Sequence, residues 1–200
     1  MKKLVAILAV SVIFMLSGCQ VNKKAQLKAL ADCDYDVESV EKVKFNGKNL
    51  ESYKGSDGNF SVSTLASLAV ALFSKELPLE GQVNMKITNP EAKKAAFNSF
   101  KYLIEIQGTP LFEGTVDQNV NLAQGQSTIV PLTFQANIFN KARENGVEKF
   151  LDELFNRDTE GFLVLKIKPS IRIAGQNLYY PSYITIDKNF GKKLFKIFKL

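Results

Sequence analysis

The chain has 200 residues, a net charge of +6, 46% apolar and 23% charged residues, and neither Trp nor His. That suits one globular domain whose core needs no disulfide staples. Without His there is no Ser-His-Asp or Cys-His nucleophile system and no imidazole zinc site, and two Cys cannot build an all-thiolate one.

The first element is a targeting segment. Lys2 and Lys3 precede an apolar run from Leu4 to Leu16. As a helix that run spans roughly 20 Å, too short for a hydrocarbon core of about 30 Å, and it fits the h-region of a secretory signal. Leu16-Ser17-Gly18-Cys19 follows and resembles the bacterial lipobox. The resemblance implies cleavage after residue 18 and lipidation of Cys19. Two or three acyl chains would hold the mature protein on a membrane, where one would not. Loss of residues 1–18 removes Lys2 and Lys3 and lowers the net charge to +4. No acidic cluster follows Cys19, which leans towards a periplasm-facing position on the outer membrane of a Gram-negative cell. Cys33 then has no intrachain partner and is expected as a small buried apolar residue.

Residues 19–31 are polar and Lys-rich and are expected to be a tether. Over 35–45, Tyr35, Val37, Val43 and Phe45 share one parity and Val40 breaks it, which predicts a half-buried strand closed by a turn at Asn46-Gly47. Over 61–76, Val62, Leu65, Leu68 and Leu72 recur at three to four residues and predict a helical insert. Period two returns at Leu79, Val83, Met85 and Ile87. That strand stops at Asn89-Pro90, because Pro90 has no N–H and pushes Asn89 out of the helical region, while the Asn89 side chain can close a turn on itself. Loop 89–98 leads to a strand with Phe100, Tyr102, Ile104 and Ile106 on one face, then a turn at Gly108-Thr109-Pro110. Val116, Val120 and Leu122 mark the next strand, and Val130, Leu132, Phe134 and Ile138 the one after, where Pro131 argues for an edge or a bulge. A second helical insert over 139–158 aligns Val147, Phe150, Leu151 and Leu154. Two final strands align Leu163, Leu165, Ile167, Ile171 and Ile173, then Leu178, Tyr180, Ile184 and Ile186. The expected fold is mainly β, an antiparallel seven-stranded sandwich over 32–187 with two short helical inserts.

From about residue 79 to 138 the sequence resembles the late-embryogenesis-abundant type 2 domain, also called the water-stress and hypersensitive-response (WHy) domain. The resemblance rests on the strand ending at Asn89-Pro90, the strand from Tyr102 ending at Gly108, the Glu113-Gly114 step, and Leu122-Ala123, Gly125 and Ser127 before a hydrophobic strand. It implies an immunoglobulin/fibronectin type III-like sandwich and a link to dehydration stress and protection of other proteins. It brings no catalytic residues, and the inserts at 61–76 and 139–158 depart from it.

The remaining chemistry is sparse. Asp32, Asp34 and Asp36 share a face and offer oxygen ligands suited to Ca²⁺, but a solvated outer strand face beside Lys42 and Lys44 is the favoured reading, so no metal, cofactor or catalytic residue is assigned. Residues 188–200 hold five Lys and no acid. Drawn as a helix, they put Phe190, Leu194, Ile197 and Phe198 opposite Lys192, Lys196 and Lys199, which suits either an anionic bilayer surface or a tail packed on the sandwich. No base-stacking module is visible, so nucleic acid is not expected. The sequence therefore predicts a lipid-anchored, non-enzymatic envelope protein with a monomeric domain. It meets a membrane through its lipid and a protein partner through loops 89–98 and 108–114. The alternative is an accessory subunit of an envelope assembly that pairs an edge strand with its neighbour.

Overall fold

The computed structural model describes residues 25–49, 52, 69–71, 73–146, 149–150 and 163–187. Cys19, the signal segment and the basic tail at 188–200 lie outside them. Two antiparallel sheets face each other. One runs β2 (Lys48–Asn49), β1 (Asp34–Phe45), β3 (Pro78–Thr88), β6 (Ser127–Asn137). The other runs β5 (Thr109–Leu122), β4 (Ala95–Ile106), β7 (Leu163–Ile173), β8 (Gln176–Tyr179), with β9 (Ile184–Asp187) also on β7. This is the expected β-sandwich. The seven expected strands are all present, but β2 is added as a short hairpin arm and the last one breaks at Pro181 into β8 and β9. The reason is local: a proline cannot donate to the ladder. Leu178, expected inside, is consequently exposed, while Ile184 and Ile186 pack only partly on the core.

β1 shows how Val40 fits. The strand slips register against β3 between Val37 and Ser39 and again between Glu41 and Lys44. Each bulge adds a residue and reverses which parity points inwards. Val37, Val40, Val43 and Phe45 are therefore all buried. Lys42 takes a φ of 55° at the second bulge. The next hairpin also differs from expectation. Gln107-Gly108, with φ of 48° and 73°, forms the two-residue turn, and Thr109 and Pro110 already belong to β5.

The core is filled from both inner faces by Phe45, Leu79, Met85, Ile87, Phe97, Phe100, Ile104 and their neighbours. Each sheet has one glycine beneath an aromatic ring of the paired strand. Gly81 sits opposite Phe134, and Gly114 sits opposite Tyr102. A methyl group at Gly114 would run into the Tyr102 ring. The ends are closed by short helical pieces. Residues 25–31, expected as tether, form a helix with Leu30 fully buried, and the Tyr35 hydroxyl donates to the Leu30 carbonyl at 2.6 Å. At the opposite end, helical residues 69–71 and 73–74 precede β3, and helix Phe139–Asn145 follows β6. The Asn137 carboxamide joins them: its oxygen accepts from Leu77 and Phe139 N–H, and its nitrogen donates to the Lys75 carbonyl. Of the second insert's expected apolar face, Phe150 is fully buried, while Val147, Leu151 and Leu154 lie outside the described residues.

Candidate functional site

The sheets meet along one side where β5 and β6, consecutive in the chain, are each the edge strand of a different sheet. Backbone groups on such edges lack ladder partners. Two hydrogen bonds bridge the sheets there. Near the middle, the Tyr102 hydroxyl of β4 passes over Gly114 and donates to the Thr133 carbonyl of β6. At the end of β3, Asn89 is fully buried and bonded through every polar group it has. Its side-chain nitrogen donates to the Leu122 carbonyl at 2.9 Å and to the Lys93 carbonyl at 2.9 Å, and its oxygen accepts from Glu91 N–H at 3.1 Å. Its own N–H donates to Gln126 and its carbonyl accepts from Gly125. The turn expected from Asn89-Pro90 is present, and the same side chain also fastens the second sheet to the first.

Between these two bridges lies a groove of about 400 Å³, lined by 118–122 on the β5 side and 126–128 on the β6 side. Its polar side chains are Gln118, Asn119, Asn121, Gln126, Ser127 and Thr128, all uncharged. The Asn119 oxygen accepts from Asn98 at 2.5 Å, and the Ser127 and Thr128 ends are held by the β3 pairing and by a 2.8 Å hydroxyl contact between Ser127 and Thr88. Such a lining exchanges hydrogen bonds with a neutral polar ligand or an extended backbone and offers no charge to an ion.

A second polar cluster covers the outer face of the other sheet. Ser99, Lys101 and Glu105 alternate along β4 with core residues, and the loop after β8 folds back over them. The Tyr179 hydroxyl lies 3.4 Å from Ser99 Oγ, and the Tyr183 hydroxyl donates to Glu113 at 2.8 Å. Lys101 Nζ stands 5.4 Å from the Tyr179 ring centre and Lys168 Nζ 5.7 Å from that of Tyr183. Burial, and then the adjoining Glu113, push the Tyr183 hydroxyl up to about 12. Lys166 and Glu105 pair at 2.7 Å.

The residues singled out in the sequence fall as follows. Asp34 and Asp36 are exposed on β1 and Asp32 is exposed just before it. Among the described residues no cluster of three possible metal-ligating side chains is found. Cys33 is buried, unpaired with another Cys, and donates to the Ala29 carbonyl at 3.4 Å. Burial, then the charges of Asp34 and Asp32, push its thiol up to about 11. Loops 89–98 and 108–114 are not brought together. Ala95 pairs with Leu122 at one end of the sandwich and Ile106 with Thr109 at the other. Moreover, β4 begins at Ala95 and β5 at Thr109, so both expected loops are shorter than the sequence suggested. The groove at 118–128 was missed. Its amides read as ordinary positions of a strand, and nothing local in the chain announces that β5 and β6 are edge strands of different sheets lying side by side.

No family model and no curated protein matches the chain. Among solved structures it is similar to a protein from Archaeoglobus fulgidus, at 18% identity over 54% of this chain and 82% of that one, with a TM-score of 0.33. It is also similar to the solution structure of a candidate late embryogenesis abundant (LEA) protein, at 12% identity over 92% and 85%, with a TM-score of 0.34. A third is a β-glucuronidase from glycoside hydrolase family 2, at 14% identity over 56% of this chain and 10% of that one, with a TM-score of 0.28. None of these likenesses assigns a role to a residue of this chain.

Proposed function

We propose that the protein is a lipid-anchored cell-envelope module with a LEA type 2-like sandwich that binds or protects other molecules without catalysis. The anchor is Cys19, closing an h-region of signal-peptide length. The observation that supports the binding role is the uncharged groove between β5 and β6, in the region where Tyr102–Thr133 and Asn89–Leu122 bridge the two sheets. The LEA-like reading rests on the sequence pattern over 79–138, and the non-enzymatic reading on the absence of His and on polar side chains already engaged with one another. The site faces the periplasm if the cell is Gram-negative.

The second reading is an accessory subunit of an envelope assembly, and the open edge of β5 favours it. A partner strand laid along 118–122 would gain main-chain hydrogen bonds that β5 makes on its β4 side only.

Fractionation tests the anchor: Cys19→Ser moves the protein from the membrane to the soluble fraction, and a variant that still sediments with membranes refutes it. Photo-cross-linking in cells from Asn121, with Lys86 as a control on another face, separates the two roles. A single dominant adduct from Asn121 marks an assembly subunit. Many adducts that increase on drying mark a protective module, and equal adducts from both positions refute the groove.

A further inference from the structure

The strand pairing gives the sandwich two distinct ends. Asp34, Thr88 and Ser127 lie at one, beside the N-terminal helix, and Phe45, Pro78 and Asn137 lie at the other. The Asn89–Leu122 bond places the start of β4 at the first end, so Ile106, Leu163 and Asp187 belong to the second. The eleven residues of β3 set these ends roughly 35 Å apart.

The second end carries an unusual helical turn. Ala71 faces the core and is buried, whereas Val70 and Phe73, three residues apart, are 69% and 94% exposed. Phe73 is the most exposed of the large apolar side chains described. Among the described residues, basic side chains outnumber acidic ones around this end. Lys141 and Glu144 pair with each other at 2.8 Å, and the exposed Lys44, Lys48, Lys75, Arg143 and Lys149 stand against an exposed Glu76 and the half-buried Glu80 and Asp187. The first end is different, with exposed Asp32, Asp34, Asp36 and Glu91 beside Lys28, Lys93 and Lys94.

We propose that this second end is a contact face for an anionic lipid bilayer, with Phe73 and Val70 entering the interface and the surrounding lysines meeting the headgroups. Aromatic and aliphatic side chains gain free energy by leaving water at the headgroup boundary, and each nearby Lys or Arg adds attraction to an anionic surface. An acidic protein would satisfy the lysines but leave Phe73 needing an apolar pocket. A bilayer satisfies both with one surface. The face does not depend on Cys19 and lies at the far end from the strand that Cys19 precedes.

The test is flotation of residues 20–200, which contain every buried residue described, with vesicles of equimolar phosphatidylglycerol and phosphatidylcholine or of phosphatidylcholine alone. Binding to the anionic vesicles only is expected. Phe73→Asp, at a position too exposed to affect folding, should lower partitioning about tenfold. Lys93→Ala with Lys94→Ala at the opposite end should leave it unchanged. Failure of the parent protein to float, or equal flotation of Phe73→Asp, overturns the proposal. So does a loss in the Lys93/Lys94 variant as large as in Phe73→Asp, which would mark diffuse charge attraction. Cys19 is absent from this protein, so none of these outcomes bears on the anchor.

Discussion

The Asn89 side chain donates to the Leu122 carbonyl at 2.9 Å, and through that bond the end of β3 in one sheet holds the end of β5 in the other. The same amide also serves the Lys93 carbonyl and the Glu91 N–H. Three backbone groups thus depend on one side chain with no solvent exposure. Asn89→Ala strands them and should cost about 2–4 kcal/mol, measured by urea unfolding with an unchanged slope. Asn89→Asp should be no milder, since a carboxylate faces two carbonyls and donates to neither. A loss below about 0.5 kcal/mol for Asn89→Ala would mean that water replaces the amide without penalty.

Gly114 and Tyr102 form a second unit. The ring occupies the space that any Cβ at residue 114 needs, and its hydroxyl holds Thr133 on the facing sheet. Gly114→Ala should destabilise by about 1–3 kcal/mol through overpacking. In a Tyr102→Ala background the same change should cost almost nothing, because the obstructing ring is gone. Additive losses in this double-mutant cycle would show that the two residues do not share the space.

Tyr183 makes stability depend on alkaline pH. Its folded hydroxyl ionises near 12, while an unfolded tyrosine ionises near 10. The folded state therefore keeps a proton that the unfolded state has released between those values. The stabilisation is fully present below pH 10 and is lost as pH rises from 10 to 12. Tyr183→Phe should flatten that part of the pH–stability profile relative to the parent. Tyr35, whose hydroxyl is also pushed up by burial, leaves a remaining slope in both. Identical slopes would assign the effect to the other groups that burial pushes up, Tyr35, Tyr102 and Cys33.

Much of this architecture was legible because alternation of apolar and polar side chains is a local signal. Leu79 to Ile87, Phe100 to Ile106 and Leu163 to Ile171 face inwards as their spacing demands. Pro131 likewise marked β6 as an edge strand. What failed depended on partners distant in the chain. Val40 looked out of step until its bulges against β3 were seen. Gly114 was visible as part of a family pattern, but its physical cause is a ring twelve residues earlier on the paired strand. Asn89 read as a turn residue, and nothing near it in the chain announces Leu122. The helix at 25–31 was hidden by Lys28 and by Lys23 and Lys24 just before it, although Leu27 and Leu30 already stand three apart.

The direction of the β6 backbone has a further result. The Thr133 carbonyl turns away from β3 to reach Tyr102, so Pro131, two residues earlier, presents its nitrogen to that same side. One position there has no hydrogen to give, and its neighbour has its oxygen already taken. Unprotected borders of this kind let neighbouring copies of a sandwich zip into filaments. Along β6 that route is blocked at its centre.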